Sequence, residues 1–211
     1  MGVKYCQACK KPMRTEDTVC RTCGAEYKAS YAFLIIVFLL IVFAASLGAW
    51  WYFSQKQIEK DNLRKSNIAA YIEVLRNLDL PARDLERIAN LRYSDNIKHN
   101  KFAFAELKEL AASFNDQREL SNKVMRVELV QPLSELQKIK RNTQAKKYTG
   151  CLEASKLIYV SSMNSTNEAL LTFLADGGNK GDQITHLFTK SIVQENEAKK
   201  VLDECEINAT K

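Results

Sequence analysis

The chain has 211 residues, of which 46% are hydrophobic and 27% charged, and its formal net charge is +6. That length admits one or two domains. The composition carries no Gly-rich phosphate loop, no G-x-S-x-G and no H-E-x-x-H, and its carboxylates are scattered among lysines as on ordinary helix exteriors, so the chain is read as a non-enzyme.

Four of the six cysteines fall within the first 23 residues, as Cys6, Cys9, Cys20 and Cys23. Each C-x2-C makes a tight knuckle that aims two thiolates at one point, and two knuckles complete a tetrahedral sulfur site. Such a site favours Zn2+, with iron as its competitor. The rival readings are a redox pair, for which 30 residues leave no thioredoxin-like room, and a disulfide pair. Few side chains here can be buried, so one structural zinc ion supplies most of the folding free energy of two short β-hairpin knuckles. Gly24, directly after Cys23, suits the positive φ at which a knuckle closes. The segments Tyr5-Cys6-Gln7-Ala8-Cys9 and Val19-Cys20-Arg21-Thr22-Cys23-Gly24 resemble the short zinc ribbon that heads many bacterial membrane proteins. That resemblance covers residues 1–28 and implies Cys6, Cys9, Cys20 and Cys23 as the metal ligands. Lys10 stands where that family usually has glycine, and Val19 where it usually has a second aromatic. Six cations against three carboxylates leave +3 over residues 1–30. Zinc-bound thiolates reduce this to about +1, a poor footprint for a phosphate backbone, which argues against nucleic acid as a partner.

Residues 31–53 contain no charged side chain. As a helix they span roughly 34 Å, enough for a hydrocarbon core of about 30 Å. Tyr27 and Tyr31 at one end, and Trp50, Trp51 and Tyr52 at the other, form the aromatic belts of a transmembrane helix. A buried core helix would carry polar positions, and a cleaved signal peptide would start near residue 1 with a shorter apolar stretch. The expected span is an uncleaved anchor in the lipid bilayer. Ala44-x3-Gly48 and Ala45-x3-Ala49 would let two such helices approach, giving a homodimer through the span.

Zinc thiolates persist in a reducing compartment, which places the ribbon in the cytosol. Six cations flank the N-terminal side (Lys4, Lys10, Lys11, Arg14, Arg21, Lys28) and four the other (Lys56, Lys60, Arg64, Lys65), a vote in the same direction. The C-terminal domain is then periplasmic or extracellular.

Beyond the span, residues 54–80 read as a helical stalk whose apolar stripe is Ile68, Ile72, Leu75 and Leu78, stopped at Pro81 with Asp79 as a turn residue. Residues 81–211 read as a helical bundle. Leu85 and Ile88 mark a short helix; Phe104, Leu107, Ala111 and Phe114 mark another. Leu120, Val124 and Val127, then Leu133, Leu136 and Ile139, mark a long helix kinked or divided at Pro132. Residues 148–206 read as a helical hairpin turning at 175–182, with Gly178 at its middle. Cys151 precedes Gly178 by 27 residues and Cys205 follows it by 27, so the two thiols are level. Cys205 shares a stripe with Ile184, Phe188, Ser191, Glu195, Ala198 and Leu202. A disulfide there would contribute roughly 3–4 kcal/mol in the chain-entropy account and requires an oxidising compartment. The alternative is two unpaired buried thiols.

Lys138, Lys140, Arg141, Lys146 and Lys147 lie within ten residues. They could meet an anionic lipid surface or acidic polymer, or form a solvated helix end whose cations complement the dipole. His99 and His186 lie far apart in polar helical contexts and read as solvated. Asn164-Ser165-Thr166 and Asn208-Ala209-Thr210 match glycosylation acceptors. The overall expectation is a mainly α protein: a small N-terminal β-hairpin zinc ribbon, one transmembrane helix and an extracytoplasmic helical bundle. Its function would be that of a membrane-anchored cell-envelope interaction or scaffold protein whose bundle binds an envelope protein. The alternative is a transmembrane sensor that signals from bundle to ribbon.

Overall fold

The computed structural model describes residues 3–26, 32–94, 101–176 and 179–209, with the side chains of 32–34 left aside. The protein is mainly helical and divides into two compact units, Met1–Glu59 and Lys60–Lys211.

The first unit opens with strands β1 (Val3–Tyr5) and β2 (Pro12–Arg14), paired antiparallel in the register Val3–Arg14, Lys4–Met13, Tyr5–Pro12. Met13 is buried beneath them with Cys6 and Cys20, a core of very few side chains. The second knuckle is flanked by a single bridge, Val19–Glu26, rather than by a full hairpin. Helix α1 (Ala32–Asn77) follows. Its most apolar 18-residue window has a mean hydropathy of 2.2, and none of it is buried. Phe38, Leu40, Phe43, Leu47, Trp50 and Phe53 are all exposed. Ser46 in this stretch donates to the Phe43 carbonyl at 2.7 Å, so its hydroxyl is satisfied within the helix. The helix is therefore long and apolar enough to cross a membrane. Tyr27 and Tyr31, read as one aromatic belt, lie outside the described residues.

The second unit is built on the last turns of α1 with α2 (Ala82–Arg92), α3 (Lys101–Ser121), α4 (Val130–Ala145), α5 (Gly150–Asp176) and α6 (Gly181–Ala209). Ile68, Tyr71, Ile72, Leu75 and Leu78 pack into its main core, so the segment read as a stalk becomes a bundle helix before it ends. It stops where Asp79 takes a left-handed φ of 51°, and Pro81 then caps the start of α2. Asp tolerates this region because its short side chain can bond locally; here its carboxylate instead accepts from Lys190 at 2.6 Å.

Helix α5 is central, with seventeen buried residues distributed around its circumference. One core joins it to α1, α2, α6 and the first part of α3, around Leu75, Ile88, Leu107, Leu152, Ile158 and Leu202. A second core joins it to α3 and α4, around Phe114, Leu129, Leu136, Met163 and Leu170. Helix α6 runs antiparallel to α5 and to the end of α1: Ser155 faces Ala198, Ser162 faces Ser191, and Tyr71 faces Glu197. Gly178, the expected middle of this hairpin turn, is outside the described residues.

One expected boundary moves: the stripe Leu120–Ile139 is divided, but before Pro132 rather than at it. Helix α3 ends at Ser121, a 3₁₀ turn occupies Arg126–Glu128, and α4 begins at Val130. Leu120 and Val127 are exposed, and Leu129 takes the buried place instead. Pro132 sits in the first turn of α4, where its missing N–H would have had no helical partner. The chain breaks earlier because Arg126 turns aside to cap α5. Its guanidinium donates to the carbonyls of Leu174 and Ala175 at the end of that helix.

Candidate metal centre

The two knuckles are the same backbone unit used twice. In the first, the Cys6 amide donates to the Lys11 carbonyl at 2.9 Å and the Lys10 amide to the Cys6 carbonyl at 2.8 Å. In the second, Cys20 donates to Ala25 at 2.9 Å and Gly24 to Cys20 at 2.8 Å. Both turns close through a left-handed residue, Gly24 at φ 70° and Lys10 at φ 56°. The departure from glycine at position 10 thus leaves the turn intact, with a lysine in a conformation that favours glycine.

These turns aim amides at sulfur. The amides of Cys9 and Ala8 donate to Cys6 and lower its thiol pKa. The amides of Thr22 and Cys23 lower that of Cys20 to about 6. Cys23 also receives an amide, from Ala25, but the neighbouring Cys9 and Cys20 sulfurs outweigh it and raise its pKa to about 12. A sulfur cluster without a cation sheds its first protons readily and holds its last one, because thiolates repel each other. A bound cation reverses that repulsion.

The four sulfurs lie within 4.8 Å of one another, which makes the group able to hold a metal ion. Cys6 and Cys23 are 3.7 Å apart, and Cys9 and Cys20 are 3.6 Å apart. A tetrahedral ion with bonds of about 2.3 Å places its sulfurs about 3.8 Å apart. The spacing therefore fits a metal and is too wide for disulfides at Cys6–Cys23 or Cys9–Cys20. Cys6 and Cys20 are buried, Cys9 is half-buried and Cys23 is exposed. An ion held by all four would have no position left for a substrate.

Cys151 and Cys205 are joined in a disulfide, with a Cα–Cα separation of 5.7 Å. It ties the start of α5 to the end of α6. The stripe on α6 includes Ser191, Ala198, Leu202 and Cys205 among its buried members, and the structure adds Leu187, Gln194 and Val201.

The basic run is not brought together as one surface. Lys138 pairs with Glu135 on its own helix at 3.5 Å. Lys146, past the end of α4, pairs with Glu106 of α3. Arg141 and Lys147 are exposed, and Lys140 is half-buried. His186 is exposed on α6, and His99 lies outside the described residues. Asn164 is in the middle of α5 with Ser165 and Thr166 buried, so this acceptor motif is not in a surface loop. Thr210 of the second motif is outside the described residues.

Sequence reasoning missed the amides that ligate sulfur, although the C-x2-C spacing implies them. It also missed a buried polar seam between α5 and α6. Ser162 donates to the Ser191 carbonyl at 2.9 Å, Thr166 and Ser191 share a bond of 2.6 Å, and Ser165 donates to Gln194 at 3.1 Å. Gln194 in turn donates to the Leu78 carbonyl at 2.9 Å, where α1 has just ended. The chain matches no protein-family model, no curated protein and no solved structure.

Proposed function

We propose that this chain is a membrane-anchored interaction protein of the cell envelope, with a cytosolic zinc ribbon and an exported helical domain that binds another envelope protein. One observation carries the reading: along the chain, four clustered cysteines spaced for a metal come before the apolar helix and a disulfide-bonded pair comes after it. Thiolate ligands persist where thiols are kept reduced, and structural disulfides persist where they are oxidised. A span between the two satisfies both with the N-terminus in the cytosol. Zinc suits a tetrahedral all-sulfur set better than the harder divalent ions. It would fold the ribbon without acting on a substrate.

The helical domain supports binding rather than chemistry. Most of its buried polar groups are taken up by interhelical hydrogen bonds and ion pairs, with the Asn167 amide of α5 the unpaired exception among the described residues. Arg92, for example, bonds Glu197 at 3.1 Å and Glu204 at 2.5 Å and lies 3.9 Å over the Tyr71 ring. Such groups lock helices together. The sensor reading draws its support from α1, a single helix from Ala32 to Asn77 that enters both units.

The experiment is thiol labelling in intact cells. A cysteine introduced at exposed Gln183 (Gln183→Cys) should react with a membrane-impermeant maleimide, while one introduced at exposed Glu16 (Glu16→Cys) and the four ribbon cysteines should not. Labelling of the ribbon alone would overturn the topology. Crosslinking from native membranes, with and without residues 1–28, then separates the two functions. Partners kept without the ribbon support the interaction protein. Cytosolic regulators lost with the ribbon support the sensor.

A further inference from the structure

The sequence run Lys138–Lys147 divides in the structure, and its last members join cations from elsewhere in the chain. A cleft of ≈ 720 Å³ lies where α2 meets the loop between α4 and α5. Arg87 of α2, Lys146 and Lys147 of the loop, and Lys156 of α5 line it, with Glu153 as its one carboxylate. The separation in sequence between Arg87 and Lys156 makes this a tertiary arrangement.

The floor of the cleft is tied together by an ion pair and hydrogen bonds. Lys156, with a side chain 7% exposed, donates to Glu153 at 2.9 Å and to the Lys146 carbonyl at 2.7 Å. Glu153 also accepts from the Tyr148 amide at 3.2 Å. These bonds pin the loop to α5, and Gly150 makes the sharp entry to the helix at φ 53°. Lys147 is thereby held at the rim by its own backbone.

The charges do not cancel. Four cations line the cleft. Glu153 neutralises one, and Glu106 on α3 takes up Lys146. Among the described residues this leaves two positive charges, Arg87 and Lys147, with Arg87 sharing Glu153 at 3.8 Å with Lys156. Arg87 approaches Glu153 only to 3.8 Å, beyond hydrogen-bond range, and its side chain is 60% exposed. Among the described residues Lys147 has no carboxylate partner. A guanidinium and an ammonium facing one concavity are the donors that recognise a carboxylate or phosphate. Tyr148 and Leu91 add an apolar wall. The cleft is open to solvent, which suits a small hydrated anion held by its charge, whereas a flat lipid surface would meet protruding lysines.

We infer that this cleft binds a small organic anion, whose carboxylate or phosphate group lies between Arg87 and Lys147. The inference does not depend on which side of a membrane the domain occupies or on its protein partner.

The test is calorimetric titration of the full chain in neutral detergent, at fixed ionic strength, with two probes: inorganic phosphate and succinate. Saturable one-to-one binding of either is expected, and the stronger probe identifies the preferred group. Replacing both cations, Arg87→Gln with Lys147→Gln, should weaken binding roughly tenfold or more. Replacing Lys138→Gln with Arg141→Gln, on the same basic run but outside the cleft, should leave it unchanged. Both pairs are surface changes, and an unaltered melting temperature verifies their folds. No saturable heat with either probe would overturn the site. So would equal weakening by the two variants, or binding only to vesicles that contain anionic phospholipid.

Discussion

Lys10 is the residue on which the ribbon spends conformational energy. Its φ of 56° occupies the position that Gly24 fills in the second knuckle. A non-glycine residue in this region costs on the order of 1–2 kcal/mol, partly offset by the greater freedom of glycine in the unfolded chain. Lys10→Gly should therefore stabilise the metal-bound ribbon by about 0.5–1 kcal/mol, read as slower loss of metal to a competing chelator. A faster loss would show that the Lys10 side chain contributes more than its backbone costs. Two carboxylates set the response to acid. Hydrogen bonds from Lys146 and Tyr148 hold Glu106 below its ordinary pKa, and Lys190 does the same for Asp79. Carboxylates depressed by folding contribute stability above their unfolded pKa, about 4, and lose it as pH falls through the folded value. Denaturation midpoints should be flat near neutrality and fall in acid below about pH 4. Glu106→Gln should lower the neutral midpoint and shallow the acid decline. An unchanged acid limb would show that Glu106 gains nothing from its partners.

At the scale of elements, the α5–α6 pair combines a covalent tie, a hydrophobic contact and a polar seam. Gln194 is buried and joins three helices through two bonds, to Ser165 of α5 and to the Leu78 carbonyl after α1. Truncation removes the Leu78 carbonyl's bond from Gln194, leaves Ser165 only its 3.3 Å bond to the Ser161 carbonyl, and opens a cavity. Gln194→Ala should cost about 2–4 kcal/mol of stability, measured as a shift in urea midpoint with an unchanged slope. A loss below about 0.5 kcal/mol, the size of an ordinary surface change, would mean that water replaces the amide at no cost. The seam was not legible as such, because Ser162, Ser165, Thr166 and Ser191 look the same in sequence on a wet face and in a packed one. The break before Pro132 was hidden for a related reason. Apolar residues at helical spacing continued through Val124 and Val127, but the carbonyls at the end of α5, a partner distant in sequence, captured Arg126.

For the molecule as a whole, the Cys151–Cys205 bond closes a loop with a sequence separation of 54. In the chain-entropy account this is worth about 4 kcal/mol. Cys151→Ala with Cys205→Ala should lower the stability of the helical domain by that order, seen as a fall in melting temperature of the full chain in detergent. The wild-type chain with reductant should match the double variant. A double variant as stable as the oxidised chain would leave the bond without a folding role. The ribbon should be unaffected, since its core consists of its own cysteines and Met13.

The sequence by itself determined the features whose physics is local or whose spacing has one geometric outcome. Two C-x2-C pairs favoured one sulfur cluster over the rival redox and disulfide pairings, and the four sulfurs do lie within 4.8 Å of one another. The uncharged run at 31–53 pointed to a long apolar helix, and the described part of it, from Ala32 on, is one. Cysteines equidistant from a glycine turn fall level when the hairpin closes. Tertiary structure decided what depends on partners far along the chain. It determined that the end of the stalk belongs to the bundle core, that the helix breaks at 122–129 rather than at Pro132, and that the basic run splits. Lys138 and Arg141 remain on α4, while Lys146 and Lys147 join Arg87 and Lys156. Periodicity records which face of a helix is apolar, but the charges and carbonyls that meet across helices are set by packing, which no window of sequence contains.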